Sequence, residues 1–273
     1  MAQDRVQIGS VAIGAGVRLA VIAGPCVIES RDHTLRLADA IADVCRHADI
    51  PFVFKASFDK ANRSSVDSFR GPGIAAGLAI LREVHDELGI PILSDIHLPE
   101  QAASAAAVLD CLQIPAFLCR QTDLLAEAGK TGKPINVKKG QFMSPEEMAN
   151  AAHKIESTGN HAILLTERGT FFGYNTLVND MTAIPRMQKI APVVFDATHS
   201  CQRPGSAGSQ SGGSREFTAT LARAGVAAGC DALFLEVHDN PSVAKSDPAT
   251  VYPLDQLATL LESCARIADV IRQ

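Results

Sequence analysis

The chain has 273 residues, 47% of them hydrophobic and 20% charged, with a formal net charge of −5. This balance, together with 5% aromatic residues and no Trp, gives no support for a nucleic-acid-binding protein. Seven cysteines, an odd number without a CxxC pair, argue against a disulfide framework and predict a reducing compartment, which we expect to be the cytoplasm.

The N-terminal segment predicts a small β-hairpin. Residues 1–10 are polar and mixed in charge, so they lack the basic start and apolar run of a signal peptide. Two apolar stretches, 6–8 and 11–13, flank Gly9-Ser10, which is typical of a hairpin with a two-residue turn over 6–13. A frayed tail is the alternative. In a barrel, this hairpin would plug the N-terminal mouth.

Short apolar segments recur along the rest of the chain, each followed by a loop and, in most cases, an amphipathic stretch. Continuous apolar strands are typical of a parallel sheet that is buried on both faces. We predict strands at Leu19–Ala23, Phe52–Lys55, Ile90–Ser94, Cys111–Ile114, Ile135–Lys138, Ala162–Thr166, Val193–Asp196 and Ala232–Glu236. No apolar run approaches the roughly 20 residues that span a bilayer, so no membrane span is expected.

Helical spacing of apolar residues fills the intervals between these strands. One helix start has Ser144 as N-cap, Pro145 at N1 and Glu147 at N3. The other predicted helices cover Arg31–His47, Gly73–Leu88, Ser214–Ala228 and Pro253–Ile271. The alternation predicts an α/β fold, a (β/α)8 TIM barrel forming a single domain over 1–273. The alternative is a doubly wound sheet, but Gly24-Pro25-Cys26 is not the Gly-rich phosphate loop that would favour it.

Two segments that follow predicted strands are long, 57–72 and 201–214. In a barrel both lie at the C-terminal mouth, where active sites form. Gly205, Gly208, Gly212 and Gly213 make the second segment flexible, and we expect it to act as a mobile lid. A plain flexible loop is the alternative.

Basic side chains follow several of the predicted strands. They are Lys55, Lys60, Arg63, Lys138 and Arg168. Each alone could form a surface salt bridge, but five at one mouth predict a small ligand with at least two anionic groups, since guanidinium and ammonium groups bind phosphate and carboxylate.

A possible metal site occupies the same strand ends. Cys26, His199, Glu236 and a further carboxylate would give a mixed sulfur, nitrogen and oxygen ligand set, which suits Zn(II), Fe(II), Mn(II) or a similar divalent ion. The spacing is weak support, because a free Cys is usually a small buried hydrophobe and a lone His is usually structural.

At these residues the sequence resembles the 3-deoxy-D-manno-octulosonate 8-phosphate synthase family. The KANRSS segment is the most discriminating, since the sister family of 3-deoxy-arabino-heptulosonate 7-phosphate synthases has a Lys-Pro-Arg-Thr-Ser pattern there. The resemblance covers nearly the whole chain through IAGPCVIES (22–30), FKASFDKANRSS (54–65), RGPG (70–73), LSDIH (93–97), QIPAFLCRQTD (113–123), INVKKGQF (135–142), ERGTFFGYN (167–175), FDATHS (195–200) and LFLEVH (233–238).

The resemblance implies a (β/α)8 barrel enzyme that condenses phosphoenolpyruvate with arabinose 5-phosphate and water. It implies contacts to phosphoenolpyruvate from Lys55, Ser57, Lys60, Gln113, Ala116, Lys138 and Arg168. Contacts to the sugar phosphate are implied for Asn62, Arg63 and Ser64, and catalytic roles for Lys60, Asp95 and His199. The alternatives are the sister synthase, which uses erythrose 4-phosphate, and a non-catalytic phosphosugar-binding barrel.

The resemblance also bears on metal and assembly. Cys26 stands where metal-independent members carry Asn, which implies the metal-dependent branch, with Cys26, His199, Glu236 and Asp247 as ligands. Phe117 and Arg120 match a segment that reaches a neighbouring subunit's site, which implies a homo-oligomer, usually a tetramer. After His238, this chain has Asp239-Asn240 before the Pro that the family places next, so the local turn is expected to differ.

Overall fold

The computed structural model of the protein describes residues 2–62, 65–207 and 210–272. In chain order the strands are β1 (Arg5–Ile8), β2 (Val11–Gly14), β3 (Ala20–Gly24), β4 (Phe52–Lys55), β5 (Ile92–Asp95), β6 (Cys111–Ile114), β7 (Ile135–Lys138), β8 (Ile163–Glu167), β9 (Thr170–Phe171), β10 (Leu177–Val178), β11 (Val193–Asp196), β12 (Gln202–Ala207), β13 (Gln210–Gly213), β14 (Ala232–His238) and β15 (Tyr252–Pro253).

Strands β3 to β8, β11 and β14 form a closed parallel barrel. Neighbours pair in the order β11-β8-β7-β6-β5-β4-β3-β14, and β11 pairs with β14 to close the ring. At the closing seam Phe195 lies opposite Leu233 in parallel register. The predicted (β/α)8 barrel is therefore confirmed, and the alternative of an open doubly wound sheet is wrong. Strand limits agree with the predictions within two residues.

The helices surround the barrel. They are α1 (Arg31–His47), α2 (Ile74–Leu88), α3 (Gln101–Ala106), α4 (Thr122–Lys130), α5 (Met148–Glu156), α6 (Ala183–Met187), α7 (Thr218–Ala227) and α8 (Leu257–Ile271). Helix α1 begins where the Ser30 side chain accepts a hydrogen bond from His33 N. Its last turn carries the basic residues Arg46 and His47, a residue type that stabilises the negative end of the helix dipole. Within the described ranges, no helix is long and apolar enough to cross a membrane.

The start of α5 differs from the prediction at Ser144. The reciprocal capping bonds are present, with Ser144 N 2.8 Å from Glu147 Oε2 and Glu147 N 3.4 Å from Ser144 Oγ. Regular α-helix nevertheless begins at Met148. Residues 145–147 form a tighter turn in which Met148 N donates to Pro145 O at 3.3 Å, so the capping side chains stabilise a turn that precedes the helix.

The N-terminal hairpin closes one end of the barrel. Strands β1 and β2 pair antiparallel, with Val6 opposite Ile13 and Ile8 opposite Val11. These side chains are buried in one cluster with the first inward-facing residues of the barrel strands, among them Ile22. Burial of each such side chain stabilises the folded protein by roughly 1.5–3 kcal/mol. The hairpin therefore seals the N-terminal mouth.

Strand alternation decides which side chains enter the upper half of the barrel. On β4, Val53 belongs to the inner cluster and Phe54 to the outer layer against the helices, so Lys55 points inward. The same alternation turns one residue at or near the end of each of six strands toward the C-terminal mouth. These positions hold Lys55, Asp95, Gln113, Lys138, Asp196 and Glu236, all buried.

The alternative of a plain loop over 201–214 is wrong, because the segment contains two strands. Its expected role as a mobile lid stays a prediction. Strands β12 and β13 form an antiparallel ribbon in which Gln202 lies opposite Gly213 and Arg203 opposite Gly212. A register shift follows Arg203, so the ribbon is irregular beyond that pair. The Gly residues admit this irregular pairing, since they lack a side chain to restrict the backbone. Gly208 lies outside the described residues.

Gly77 marks a close contact between α2 and the barrel. In an exposed helix, Gly→Ala stabilises by about 1 kcal/mol. A methyl group at Gly77, however, would overlap Phe58 Cβ, a buried atom on the strand-end segment. We therefore expect Gly77→Ala to reduce the free energy of unfolding by about 1–3 kcal/mol, measured by urea denaturation. Exposed Ala79→Ser should change it by less than about 0.5 kcal/mol, and an equal effect of both would contradict the packing explanation.

Candidate active site at the C-terminal mouth of the barrel

A cavity of about 470 Å³ opens at the C-terminal mouth of the barrel. Among the residues singled out from the sequence, it is lined by Lys55, Lys60, Asn62, Asp95, Gln113, Ala116, Phe117, Lys138, Arg168, His199, Glu236 and Asp247. The structure therefore brings together side chains from every part of the chain. Because parallel strands all end at this mouth, their terminal polar residues meet there.

The carboxylate of Glu236 lies at the centre of one buried charge cluster. Lys55 Nζ is 2.9 Å and Lys60 Nζ 3.7 Å from Glu236 Oε1. Burial opposes ionisation of Glu236, but Lys55, His199 and Lys60 outweigh it and hold the pKa of this carboxyl well below its usual range. Lys55 also donates to Cys26 O at 3.0 Å. Lys55 at the end of β4 thereby links β14 to the segment that follows β3.

A second cluster centres on Asp196 at the end of β11. Its Oδ2 accepts from Lys138 Nζ at 2.5 Å and lies 2.7 Å from His199 Nδ1. Thr198 Oγ1 donates to Asp196 Oδ1 at 3.0 Å. Burial disfavours the charged carboxylate, yet His199 and Lys138 hold the pKa of Asp196 well below its usual range. Asp196 therefore orients Lys138. Because it contacts Nδ1 of His199, it leaves Nε2 of that ring for another partner.

Asp95 at the end of β5 forms the third cluster. Ser57 Oγ donates to Asp95 Oδ1 at 2.5 Å, and His97 Nε2 lies 3.2 Å from Asp95 Oδ2. Burial raises the pKa of this carboxyl, but Lys60 and then His97 more than offset it, so the pKa lies well below its usual range. Asp95 is therefore an ionised side chain on the cavity wall.

Arg168 is a buried cation with an unused nitrogen. Its Nη2 donates to Gln202 Oε1 at 2.6 Å. Its Nη1 is buried and has no hydrogen-bond partner within residues 2–62, 65–207 and 210–272. Burial lowers the pKa of this guanidinium, although Asp196 and Glu167 oppose the shift. A buried guanidinium with a spare donor on a cavity wall fits an anionic ligand.

A chain of hydrogen bonds across three strands fixes the amide of Gln113. Thr166 Oγ1 donates to Asn136 Oδ1 at 2.6 Å, and Asn136 Nδ2 donates to Gln113 Oε1 at 3.0 Å. Because its oxygen is occupied, Gln113 keeps its NH₂ group for the cavity. This makes Gln113 a directed donor for an oxygen of a ligand.

Three of the four expected metal ligands lie close together. Ligand atoms of Cys26, Glu236 and Asp247 are all within 4.8 Å of one another, and Cys26 Sγ is 3.4 Å from Asp247 Oδ2. His199 Nε2 lies 3.5 Å from Glu236 Oε2, so the fourth residue adjoins this group. Burial, and then the neighbouring Glu236, raises the pKa of the Cys26 thiol. Asp247 has φ 49°, a left-handed conformation that is uncommon for a non-Gly residue and recurs at functional sites.

Nearly the whole chain matches one family model. Residues 3–272 match the DAHP synthetase I family. The chain belongs to this family. Among curated proteins, it is 55% identical over 268 residues to a 2-dehydro-3-deoxyphosphooctonate aldolase from Trichlorobacter lovleyi and 54% identical to one from Geobacter sulfurreducens, each covering 98% of both chains. A Koribacter versatilis protein of the same name is 55% identical over 94% of this chain and 93% of its own. 2-Dehydro-3-deoxyphosphooctonate aldolase is another name for 3-deoxy-D-manno-octulosonate 8-phosphate synthase, so the resemblance inferred from the motifs is confirmed.

Several of the predicted site residues do not line the cavity. Ser57 and Cys26 are buried and absent from the lining, and Ser57 is hydrogen-bonded to the lining residue Asp95. Arg120 is exposed and is absent from the lining. Arg63 and Ser64, expected at the sugar phosphate, lie outside the described residues.

Other lining residues were missed by the sequence analysis. They include His97, Gln141, Gln202 and Lys245. His97 carries a signal that could have found it, since it lies two residues after Asp95 and such residues share a face in extended backbone. Lys245 comes from the segment after β14, where its ammonium lies 4.6 Å from the Phe69 ring centroid. No spacing in the sequence links Lys245 with Phe69.

Proposed function

We propose that this protein condenses phosphoenolpyruvate with D-arabinose 5-phosphate and water, giving 3-deoxy-D-manno-octulosonate 8-phosphate and inorganic phosphate, a step toward lipopolysaccharide precursors. The observation that carries the proposal is the cavity lined by Lys55, Lys60, Lys138 and Arg168 in a chain whose relatives are 2-dehydro-3-deoxyphosphooctonate aldolases. Two phosphorylated anions must be held side by side in this reaction. A wall of buried cations lowers the electrostatic cost of that arrangement.

The binding roles are assigned from the family resemblance, and the position of the described residues on the wall supports them. We assign phosphoenolpyruvate to Lys55, Lys60, Gln113, Lys138 and Arg168, with Ala116 N as a backbone donor and Ser57 acting through Asp95. The spare Arg168 donor and the directed Gln113 amide support this half of the assignment. We assign the sugar phosphate to Asn62, Arg63 and Ser64.

The chemistry joins C3 of phosphoenolpyruvate to the aldehyde carbon of the sugar. As that bond forms, C2 becomes electron-poor and takes the oxygen of water. One proton of the water passes to the former aldehyde oxygen. The bond from C2 to the phosphate oxygen then breaks, C2 becomes the ketone carbonyl, and the second proton leaves with the phosphate. Lys60 and Lys138 are cations that can stabilise negative charge on the aldehyde oxygen and the phosphate. Asp95, held ionised by Lys60 and His97, can stabilise positive charge at C2 or accept a proton from water.

A divalent metal ion fits the residues at Cys26. Glu236 Oε2 is buried and lacks a hydrogen-bond partner among the described residues, and it adjoins Cys26, Asp247 and His199. Asp196 holds His199 Nδ1, the carboxylate–imidazole arrangement common behind metal-bound His. When bound, an ion such as Zn(II), Fe(II) or Mn(II) would supply Lewis acidity to the sugar aldehyde or to water.

Assembly and compartment are part of the same proposal. We assign the chain to a cytoplasmic homotetramer in which Phe117 and Arg120 approach a neighbouring subunit. Phe117 is half exposed at the cavity edge and Arg120 is exposed nearby in sequence. Further aromatic side chains are exposed at Phe142, Phe172 and Tyr174. Such surface is typical of subunit contacts.

Comparison of two aldoses tests the assigned reaction. We expect the purified protein to release phosphate from phosphoenolpyruvate with arabinose 5-phosphate and to show kcat/KM at least about 100-fold lower with erythrose 4-phosphate, because KANRSS binds the longer sugar. Phosphate release is measured with a colorimetric assay and the product by mass spectrometry. A preference for erythrose 4-phosphate would instead establish the sister synthase, and turnover of neither would favour a non-catalytic barrel.

Arg63→Ala tests the division between the two substrates. Loss of one guanidinium–phosphate contact costs about 1.5–3 kcal/mol, so KM for arabinose 5-phosphate should rise about 10- to 100-fold. KM for phosphoenolpyruvate should change less than about threefold, since that substrate has its own cations. Steady-state kinetics with each substrate varied in turn measure both values. An equal rise in the two KM values would refute the assignment.

A further inference from the structure

A separate group of possible metal ligands lies beside the cavity but does not line it. Glu29 follows β3, His33 lies in the first turn of α1, and His238 ends β14. Each offers a ligand atom, and these atoms all lie within 4.8 Å of one another. The side chains of Glu29, His33 and His238 are only 13%, 12% and 4% exposed. The three side chains are therefore largely buried, and the proposed reaction does not use them.

One carboxylate oxygen, Asp239 Oδ1, adjoins both imidazoles. It lies 3.0 Å from His33 Nε2, from which it can accept a hydrogen bond, and His33 Nδ1 is buried without a hydrogen-bond partner in the described part of the chain. His238 Nδ1 accepts from Asn240 N at 2.9 Å, so the proton of this ring lies on Nε2, 3.3 Å from Glu29 Oε1. An ion at Nε2 would move this proton to Nδ1, where Asp239 Oδ1 at 3.0 Å can accept it while Asn240 N donates to the same oxygen at 3.1 Å. Both rings would then have the arrangement of metal-binding His side chains, with one nitrogen on a carboxylate and the other on the ion.

We propose that Glu29, His33 and His238 form a second divalent transition-metal site, with Asp239 orienting both imidazoles. Two imidazole nitrogens and one carboxylate oxygen are a ligand set typical of Zn(II), with a position left for water. The set lacks sulfur, which separates it chemically from the group at Cys26.

The site connects to the cavity through the segment that follows β14. Glu29 Oε1 accepts from Lys245 N at 2.8 Å, and this segment brings Lys245 and Asp247 to the cavity wall. An ion on Glu29 and His238 would join the segment to β3 and to the start of α1. Occupancy therefore stabilises the part of the chain that carries Asp247.

Cobalt titration separates the two sites. Metal-stripped full-length protein is titrated with CoCl₂, with bound cobalt counted by mass spectrometry and its absorption recorded. The unmutated protein should bind two equivalents, and Cys26→Ala should keep one, without the near-ultraviolet thiolate-to-cobalt band. His33→Gln should keep only the equivalent that shows this band. Removing one of three protein ligands should weaken the second site at least about 10- to 100-fold.

The controls keep the proposal falsifiable. His47→Gln changes a His in the last turn of the same helix and should still bind two equivalents. Glu29→Gln keeps an oxygen for Lys245 N and repeats the test if His33→Gln does not fold. A Cys26→Ala protein that binds no cobalt would overturn the proposal, as would His33→Gln and Glu29→Gln each binding two equivalents. A missing thiolate band with one remaining equivalent would instead refute the Cys26 metal site alone.

Discussion

Lys138→Met is expected to lower kcat/KM by about 100- to 1000-fold, the largest effect we assign to one wall residue. Lys138 Nζ is buried at the end of β7, where it contacts Asp196 and lies 3.7 Å from the centroid of the Phe234 ring. Burial lowers the pKa of this ammonium, while Asp196 and Glu236 favour its charged form. Met has a similar shape but no charge. Asp196 keeps Thr198 and His199 as partners, so the barrel should remain folded.

The neighbouring lysine provides the matched control. Lys139 is also buried, but it lies 3.6 Å from Glu167 and donates to Thr170 Oγ1 at 2.9 Å, away from the cavity lining. Lys139→Met should remove the cation beside the buried Glu167, which then keeps only its hydrogen bonds from Arg168 N and Gly169 N, and reduce the free energy of unfolding by about 3 kcal/mol. Its kcat/KM per folded molecule should change less than about fivefold. Steady-state kinetics and urea denaturation of both variants measure this contrast. Equal losses of activity would show that Lys138 acts only through the fold.

The barrel could be predicted because its strands carry a strong local pattern. Predicted and observed bounds agree at Phe52–Lys55, Cys111–Ile114 and Ile135–Lys138, where an apolar run is followed directly by a loop. Helices α3, α4 and α6 were not predicted. They have six, nine and five residues, too few for a helical pattern to stand out, and such short helices depend on tertiary packing.

The site was predictable only as a ring of strand-end residues. Alternation along β4 and β7 turns Lys55 and Lys138 inward, which the residue types already suggested. The partners of these lysines could not be read from the sequence, because Lys55 meets Glu236 from 181 positions away. Asp247 required the family resemblance, since it lies in an irregular segment and reaches Cys26 through a left-handed backbone conformation.

Cys26→Ala should remove the metal-dependent activity. The mutation deletes the sulfur from the group that includes Glu236 and Asp247, and metal affinity should fall at least about 10- to 100-fold. With the unmutated protein, we expect chelation to lower kcat about 100-fold or more and added Mn(II) or Zn(II) to restore it. The variant should already be at this low level and should not respond to chelation. Metal content and activity before and after chelator treatment give both measurements.

Cys264→Ala separates loss of the ligand from loss of a buried thiol. Cys264 is buried like Cys26 but lies on α8 and does not belong to the group with Glu236 and Asp247. Both variants lose one buried sulfur, so their unfolding free energies should fall by a similar amount, about 1–2 kcal/mol. Only Cys26→Ala should lose bound metal. Activity of the unmutated protein that survives complete chelation would refute the metal assignment while leaving the cation wall, and the condensation it supports, intact.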